Sequence, residues 1–204
     1  MTVRSFAMSI RSLLLLALSA LLLTACGPGN TIRLQDPAPA PGVIPSPDAT
    51  TIAVVAFADK REDSSAIGER RDMSAFTTTD NVARWVSMAL AEELRAAGYQ
   101  VSYALSFDQA QHAVPDYLVQ GSLLKAWLKE ESATALNTDI KAKFSLANKQ
   151  KVVLRETVTA NQQHTGLPSN TAAEELMTTT VQDLVKTMVE KIRATASLKK
   201  KKKK

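Results

Sequence analysis

Apolar and polar positions along the chain separate into stretches with different periods. Arg4 and Arg11 precede an apolar run, Leu13 to Leu23, shorter than the roughly 20 apolar residues a bilayer-spanning helix needs. A basic start followed by a short apolar run predicts a signal peptide over residues 1–25. From Thr51 the pattern changes. Ile52-Ala53-Val54-Val55-Ala56-Phe57 is apolar throughout, as in a strand buried on both faces. Val82, Trp85, Val86, Ala89, Leu90 and Leu94 then share one face of a helix predicted over about 81–97, with Asp80 as its cap and Gly98 at its C-terminal end. Tyr99 to Tyr103 reads as a strand, and strand, helix, strand predicts a right-handed crossover with the helix laid on the sheet.

Ser106 to His112 suits a short helix before Pro115, and Tyr117 to Lys129 a long strand interrupted or bulged near Gly121. Ile140, Ala142, Phe144 and Leu146 alternate with Lys141, Lys143 and Ser145, giving one buried and one wet face. After a turn at Asn148 to Gln150, Val152, Leu154, Val158 and Ala160 continue that alternation with Glu156 as the exception. The two runs predict a hairpin over 139–160. Thr171 and Glu174 match a capping box ahead of the longest helix. Its stripe of Met177, Val181, Leu184, Val185, Met188, Val189 and Ile192 follows the 3.6-residue period. Core packing is the direct reading of that stripe, and a partner groove or self-association the other. The expected fold is α+β, a mixed or mostly antiparallel sheet of four to five strands with two main helices packed on one face, in a single domain over residues 51–197.

Composition refines this picture in two places. The 204 residues contain one cysteine, which excludes an intrachain disulfide and a cysteine-based zinc site. The net charge of +5 comes from the ends: between Cys26 and Leu198 there are 17 basic against 20 acidic side chains. A nucleic-acid-binding face spread over the fold is therefore not expected.

The single cysteine closes Leu23-Thr24-Ala25-Cys26, which resembles the lipobox of bacterial lipoproteins. The resemblance implies cleavage before Cys26, a diacylglycerol on its thiol and usually an acylated amino group. Two or three chains anchor stably where one holds only reversibly. The alternative is an ordinary secretory signal with a cysteine near its cleavage site. In lipoproteins an Asp after the cysteine tends to retain the protein in the inner membrane. Gly27 stands there instead, which implies the outer membrane. Residues 26–50 hold Pro28, Pro37, Pro39, Pro41, Pro45 and Pro47, so they read as a lipidated cysteine followed by a Pro-rich tether able to reach roughly 70 Å.

Between Phe57 and Asp80 runs a charged segment longer than a neutral connection, which usually hides a strand or a function. Asp59, Arg61, Asp63, Arg70 and Arg71 are its candidate polar-ligand residues, the arginines offering planar forks for carboxylate or phosphate. Mutual neutralisation on a wet surface is the competing reading. With Phe57-Ala58-Asp59-Lys60-Arg61, Ile67-Gly68, a helix closed by Gly98-Tyr99, and Asp116-Tyr117-Leu118-Val119-Gln120-Gly121, residues 51 to 195 resemble small envelope lipoproteins of the YajG type. That resemblance implies an α+β domain with no established catalytic role. The lysine tail and the long proline segment depart from its pattern.

Chemistry is otherwise sparse. His112 and His164 are far apart with no patterned acids, no metal spacing or Gly-x-Ser-x-Gly elbow occurs, and Gly27-Pro28-Gly29 lacks the flanking strand and helix of a phosphate loop. No enzyme activity, cofactor or metal is expected. Trp85 and Trp127 fall on core elements, where burial is favoured over sugar stacking. Residues 198–204 end in Lys199, Lys200, Lys201, Lys202, Lys203 and Lys204, whose repulsion predicts a mobile tail that is a candidate contact for lipopolysaccharide, lipid headgroups or the cell wall. The expected protein is non-enzymatic, bound to the membrane through Cys26 at the periplasmic face of the outer membrane, with an envelope protein or anionic polymer as partner and no nucleic acid. The alternative is an accessory subunit of an envelope transport or assembly machine.

Overall fold

The structure, a computed structural model, describes residues 29–36, 43–149 and 151–202. The expected signal peptide, Cys26, Pro37, Pro39, Pro41, Gln150, Lys203 and Lys204 lie outside the described residues. The elements in chain order are β1 (Thr51–Val55), β2 (Ala58–Asp59), β3 (Gly68–Glu69), β4 (Ala75–Phe76), α1 (Val82–Ala96), β5 (Gln100–Ala104), α2 (Phe107–His112), β6 (Tyr117–Ser132), β7 (Ala135–Asn148), β8 (Val152–Thr165) and α3 (Asn170–Lys202).

The α+β class is as expected, but among the described residues the sheet has eight strands rather than four to five. The additional ones, β2, β3 and β4, have two residues each and sit inside the charged segment, where no period can show. β6 organises the sheet. One of its edges takes β1, β2 and β3 in turn, all parallel, and the other takes β7 antiparallel along its whole length. β5 pairs with β1 in parallel, β4 with β3 and β8 with β7 in antiparallel.

The register of β6 shifts between Leu123 and Lys125, not at Gly121. Gly121 stays paired with Phe144, and a Cβ there would stand 2.6 Å from the Phe57 ring. The missing side chain makes room for Phe57 rather than for a bulge. Glu156, the exception to the β8 alternation, reaches Lys191 of α3 at 3.3 Å.

α1 and α3 cover one sheet face. Every residue of the two predicted stripes is buried, and they close on Ile52, Val54, Val119, Ile140, Phe144 and Leu146 in one core. α2 lies on the opposite face, over a small second cluster of Ala53, Val55, Ala104, Ala110 and Leu118. α1 ends as expected at Gly98 (φ +87°): Gly98 N donates to Arg95 O and Tyr99 N to Leu94 O, the double closure that a left-handed residue permits. Both N-caps differ from expectation. Asn81 caps α1 by accepting from Arg84 N at 2.9 Å, and Ser169 caps α3 by accepting from Ala172 N at 3.1 Å. The carboxylates of Asp80 and Glu174 are engaged elsewhere, by Leu34 N at 2.8 Å and Arg33 N at 2.9 Å.

Those two amides belong to a segment that departs further from the sequence reading. Residues 30–36 are docked rather than free. Thr31 bridges Thr77 in parallel, Ile32 N donates to Thr77 O and Thr77 N to Asn30 O, both at 2.9 Å, and Trp85 Nε1 donates to Gln35 O at 2.7 Å. Ile32 is fully buried and Leu34 is 7% exposed. Thr31-Ile32-Arg33-Leu34-Gln35 alternates as an edge strand does, and burying its two aliphatic residues outweighs the disorder that the surrounding prolines favour. At the other end α3 runs on to Lys202, past the expected boundary at Leu198. Lysine is a good helix former, and cations are favoured at a helix C-terminus.

If the docked segment belongs to the fold, Ile32→Ala lowers stability by about 2 to 5 kcal/mol, read as a shift in the urea unfolding midpoint. A dangling tether would leave the midpoint unchanged.

Candidate functional site

The structure resolves the charged segment into separate local pairings. Asp59 ends β2 and is held by the Arg61 fork, with Nε at 3.0 Å and Nη2 at 2.8 Å. Arg61 also donates to Ala66 O at 2.9 Å and Ser64 O at 3.3 Å, and its side chain is 5% exposed. These bonds, led by the side-chain contact, hold the Asp59 carboxyl below the usual carboxylate range. Asp63 accepts from Ser65 Oγ at 2.6 Å and Ser65 N at 2.8 Å, and the hydroxyl is the larger cause of its lowered pKa. Arg70 turns to other partners: Asn30 Oδ1 at 2.7 Å, Gly29 O at 3.3 Å, Asn170 Oδ1 at 3.1 Å and Glu130 Oε2 at 3.5 Å, over the Phe76 ring at 4.5 Å. Arg71 is exposed. Asp59 and Arg61 are thus brought together, while Arg70 closes a different junction.

A more open cationic site lies on the sheet. Ala142, Phe144 and Leu146 face the helices and are buried, so Lys141, Lys143 and Ser145 face the other way. The register places Ser122 opposite Lys143, Gln120 opposite Ser145, and Arg155 opposite Ser145 on the third strand. These side chains and the end of β1 around Val55 line an open cleft of about 400 Å³. Among the described residues no carboxylate lines it. On this face Lys125 pairs with Asp139, whereas Lys141, Lys143 and Arg155 have no ion-pair partner among the described residues. Like charges on neighbouring strands oppose pairing, so this cluster weakens the sheet that carries it. An Arg fork, an ammonium and serine hydroxyls together suit a carboxylate or phosphate group.

The histidines occupy different elements, His112 ending α2 and His164 in β8. Among the described residues no group of three or more His, Cys, Asp or Glu could hold a metal ion. Trp85 is buried and Trp127 half-buried. Lys199 to Lys202 form the last turn of α3. Sequence reasoning assigned Lys141 and Lys143 to a wet face but overlooked them and Arg155 as a site. The only signal was same-face lysines with no acid at the facing positions, visible once the strand register is known.

No protein-family model and no curated protein matches this sequence. In structure the chain is similar to protein XCC0632 from Xanthomonas campestris, of the DUF330 family model, with a TM-score of 0.57 at 12% identity over 84% of this chain and 97% of that one. It is similar more weakly to lipoprotein GNA1162 from Neisseria meningitidis, with a TM-score of 0.41 at 14% identity over 71% and 99% of the two chains. For the PelC dodecamer from Paraburkholderia phytofirmans the TM-score is 0.39 at 15% identity over 70% and 94%. The first likeness shows a shared fold.

Arg70→Lys, which loses the fork, lowers stability by about 2 kcal/mol or more, because buried partners are left unmatched. Arg71→Lys one residue on stays within about 0.5 kcal/mol. Urea unfolding of the two variants checks the contrast. Because the folded pKa of Asp59 is depressed, its stabilisation is complete above the unfolded value of about 3.9 and fades as pH falls through the lower folded value. The protection factor of the Arg61 amide, which donates to Asp59, should therefore hold at pH 5 and fall only below that range, and Asp59→Asn should lower it already at pH 5.

Proposed function

We propose that this chain is a non-enzymatic, lipid-anchored protein of the bacterial envelope, held at the periplasmic face of the outer membrane through Cys26, and that its open sheet face binds an anionic envelope component. One observation carries the binding half: Lys141, Lys143 and Arg155 share a face without carboxylate partners, beside serine hydroxyls and a cleft large enough for a phosphate or carboxylate substituent. The anchoring half is supported by the lipobox-like Leu23-Thr24-Ala25-Cys26 and by Gly27 after it. Among the described residues no helix is long and apolar enough to cross a membrane. The face offers donors and cations with no acid and base pair, which suits holding a ligand rather than transforming one. The terminal lysines would add a second, sequence-distant contact to the same class of polymer.

A second reading, an accessory subunit of an envelope transport or assembly machine, is favoured by a different observation. Leu105, Phe107 and Val114 around α2 are 63%, 43% and 67% exposed. Such a group suits an apolar anchor point for another protein.

Binding to purified cell-wall sacculi and to lipopolysaccharide is measured across a salt series for the wild type, a Lys143→Glu/Arg155→Glu variant and a chain lacking residues 199–204. Affinity that falls steeply with salt and drops at least about tenfold on charge reversal supports the anionic-ligand reading. Retention unchanged by salt and by both variants overturns it. Cys26→Ser should abolish palmitate labelling and release the protein from membranes, and continued labelling would refute the anchor.

A further inference from the structure

The docked N-terminal segment fixes which end of the molecule meets the lipid. Gly29 O accepts from Asn170 Nδ2 at 2.8 Å and Arg70 Nη2 at 3.3 Å. Gly29 is therefore held where the β3–β4 turn, the end of β6 and the start of α3 come together. Cys26 is three residues upstream, so at most about 10 Å of extended chain separates it from that junction. Acyl chains on Cys26 would keep this end of the fold within reach of the headgroups. The proline-rich stretch after Asp36 cannot hold it away, because it follows the docked strand in sequence.

Two large apolar side chains project from the same end. Met73, in the turn between β3 and β4, is 80% exposed, and Leu167, between β8 and α3, is 81% exposed. Their turns are tied to the junction: Met73 N donates to Arg70 O, and Gly166 N to Thr134 O at the tip of the β6–β7 hairpin, all at 2.9 Å. Met73 also adopts φ 68°, a left-handed conformation costing roughly 1 to 2 kcal/mol for a residue with a Cβ and one where turns favour Gly or Asn. The conformation is that of a left-handed residue closing the β3–β4 hairpin after its turn, and it holds the exposed methionine in place. The charges nearby give no strong electrostatic attraction, with Arg71 exposed beside Asp72, whose carboxylate is bound by Ser74.

We infer that this end is a membrane-contact surface in which Met73 and Leu167 enter the headgroup region of the bilayer that holds the Cys26 anchor, so that the fold sits directly on the leaflet. The inference rests on the proposed acylation of Cys26. Shallow apolar insertion beside a covalent anchor adds affinity in proportion to the buried area and fixes orientation.

The full-length lipoprotein, carrying Met73→Cys, Leu167→Cys or Lys151→Cys, is spin-labelled and reconstituted into vesicles of phosphatidylethanolamine and phosphatidylglycerol. Cys26, blocked as a thioether, does not take the label. Lys151 lies in the β7–β8 turn, next to where Tyr117 opens β6 and so at the opposite end of that strand from the junction. The oxygen-to-nickel accessibility ratio should be several-fold higher at positions 73 and 167 than at 151, in variants whose thermal melting matches the parent. Equal ratios at all three positions, with the acyl mass present in the intact protein, overturn the contact surface while leaving the anchor standing. Absence of the acyl mass overturns the anchor, and the contact surface with it.

Discussion

The Arg70 guanidinium lies over the Phe76 ring and donates to Asn30, Gly29, Glu130 and Asn170. Chain segments up to 141 positions apart in this network, such as Gly29 and Asn170, meet around one planar cation that is 10% exposed. Only a fork with donors in several directions can serve so many acceptors from so enclosed a place. The desolvation it suffers is offset by the carboxylate, by the carbonyl and amide oxygens and by the ring face. Through it the beginning of the described chain, the end of the longest strand and the start of the longest helix are fixed to one another. The burial of Ile32 and Leu34 then continues that attachment along α1 and α3.

What the sequence made legible follows from how many residues each signal spans. The α3 stripe repeats over several turns, the β7–β8 alternation over most of a hairpin, failing at Val152, which is 47% exposed beside the register shift at Leu146 and Ala147, and the Gly98 closure is a local rule with a local cause. All were readable. Two-residue strands carry no period, so β2, β3 and β4 were hidden in a segment that showed only its charge. The misassigned caps share one explanation. Asp80 and Glu174 are good capping residues by position, but the docked segment offers them the amides of Leu34 and Arg33. Asn81 and Ser169 serve instead. A tertiary contact decided both cases, and its source was concealed because Thr31 to Gln35 is a short alternation beside a run of prolines.

The candidate binding face was legible in part for a related reason. Alternation identifies Lys141 and Lys143 as outward, yet it says nothing about what stands across from them. Register supplies that: Ser122 and Thr157 flank Lys143, and Ser145 faces Arg155. An acid at any of these positions would have made an ordinary surface pair. Total charge could not show it either, since a mildly acidic body averages away a local cationic patch.

If Cys26 carries the proposed anchor, Gly29 and the last lysines lie at opposite ends of α3. α3 starts at Asn170, hydrogen-bonded to Gly29, and its 33 residues to Lys202 extend about 50 Å. With the junction near Gly29 resting on the leaflet, the first lysines of the tail leave the fold far from it when the helix stands along the membrane normal. That distance is several Debye lengths at physiological salt, too far for the tail to gain from the headgroups under the anchor. Under the proposed reading, a polyanion reached in that orientation would be one lying across the periplasm, such as the cell wall. A helix lying flat would instead return the lysines to the surface, so the tilt of α3 determines which polyanion the tail can meet. The direct seating of the fold through Met73 and Leu167 is what would set that tilt.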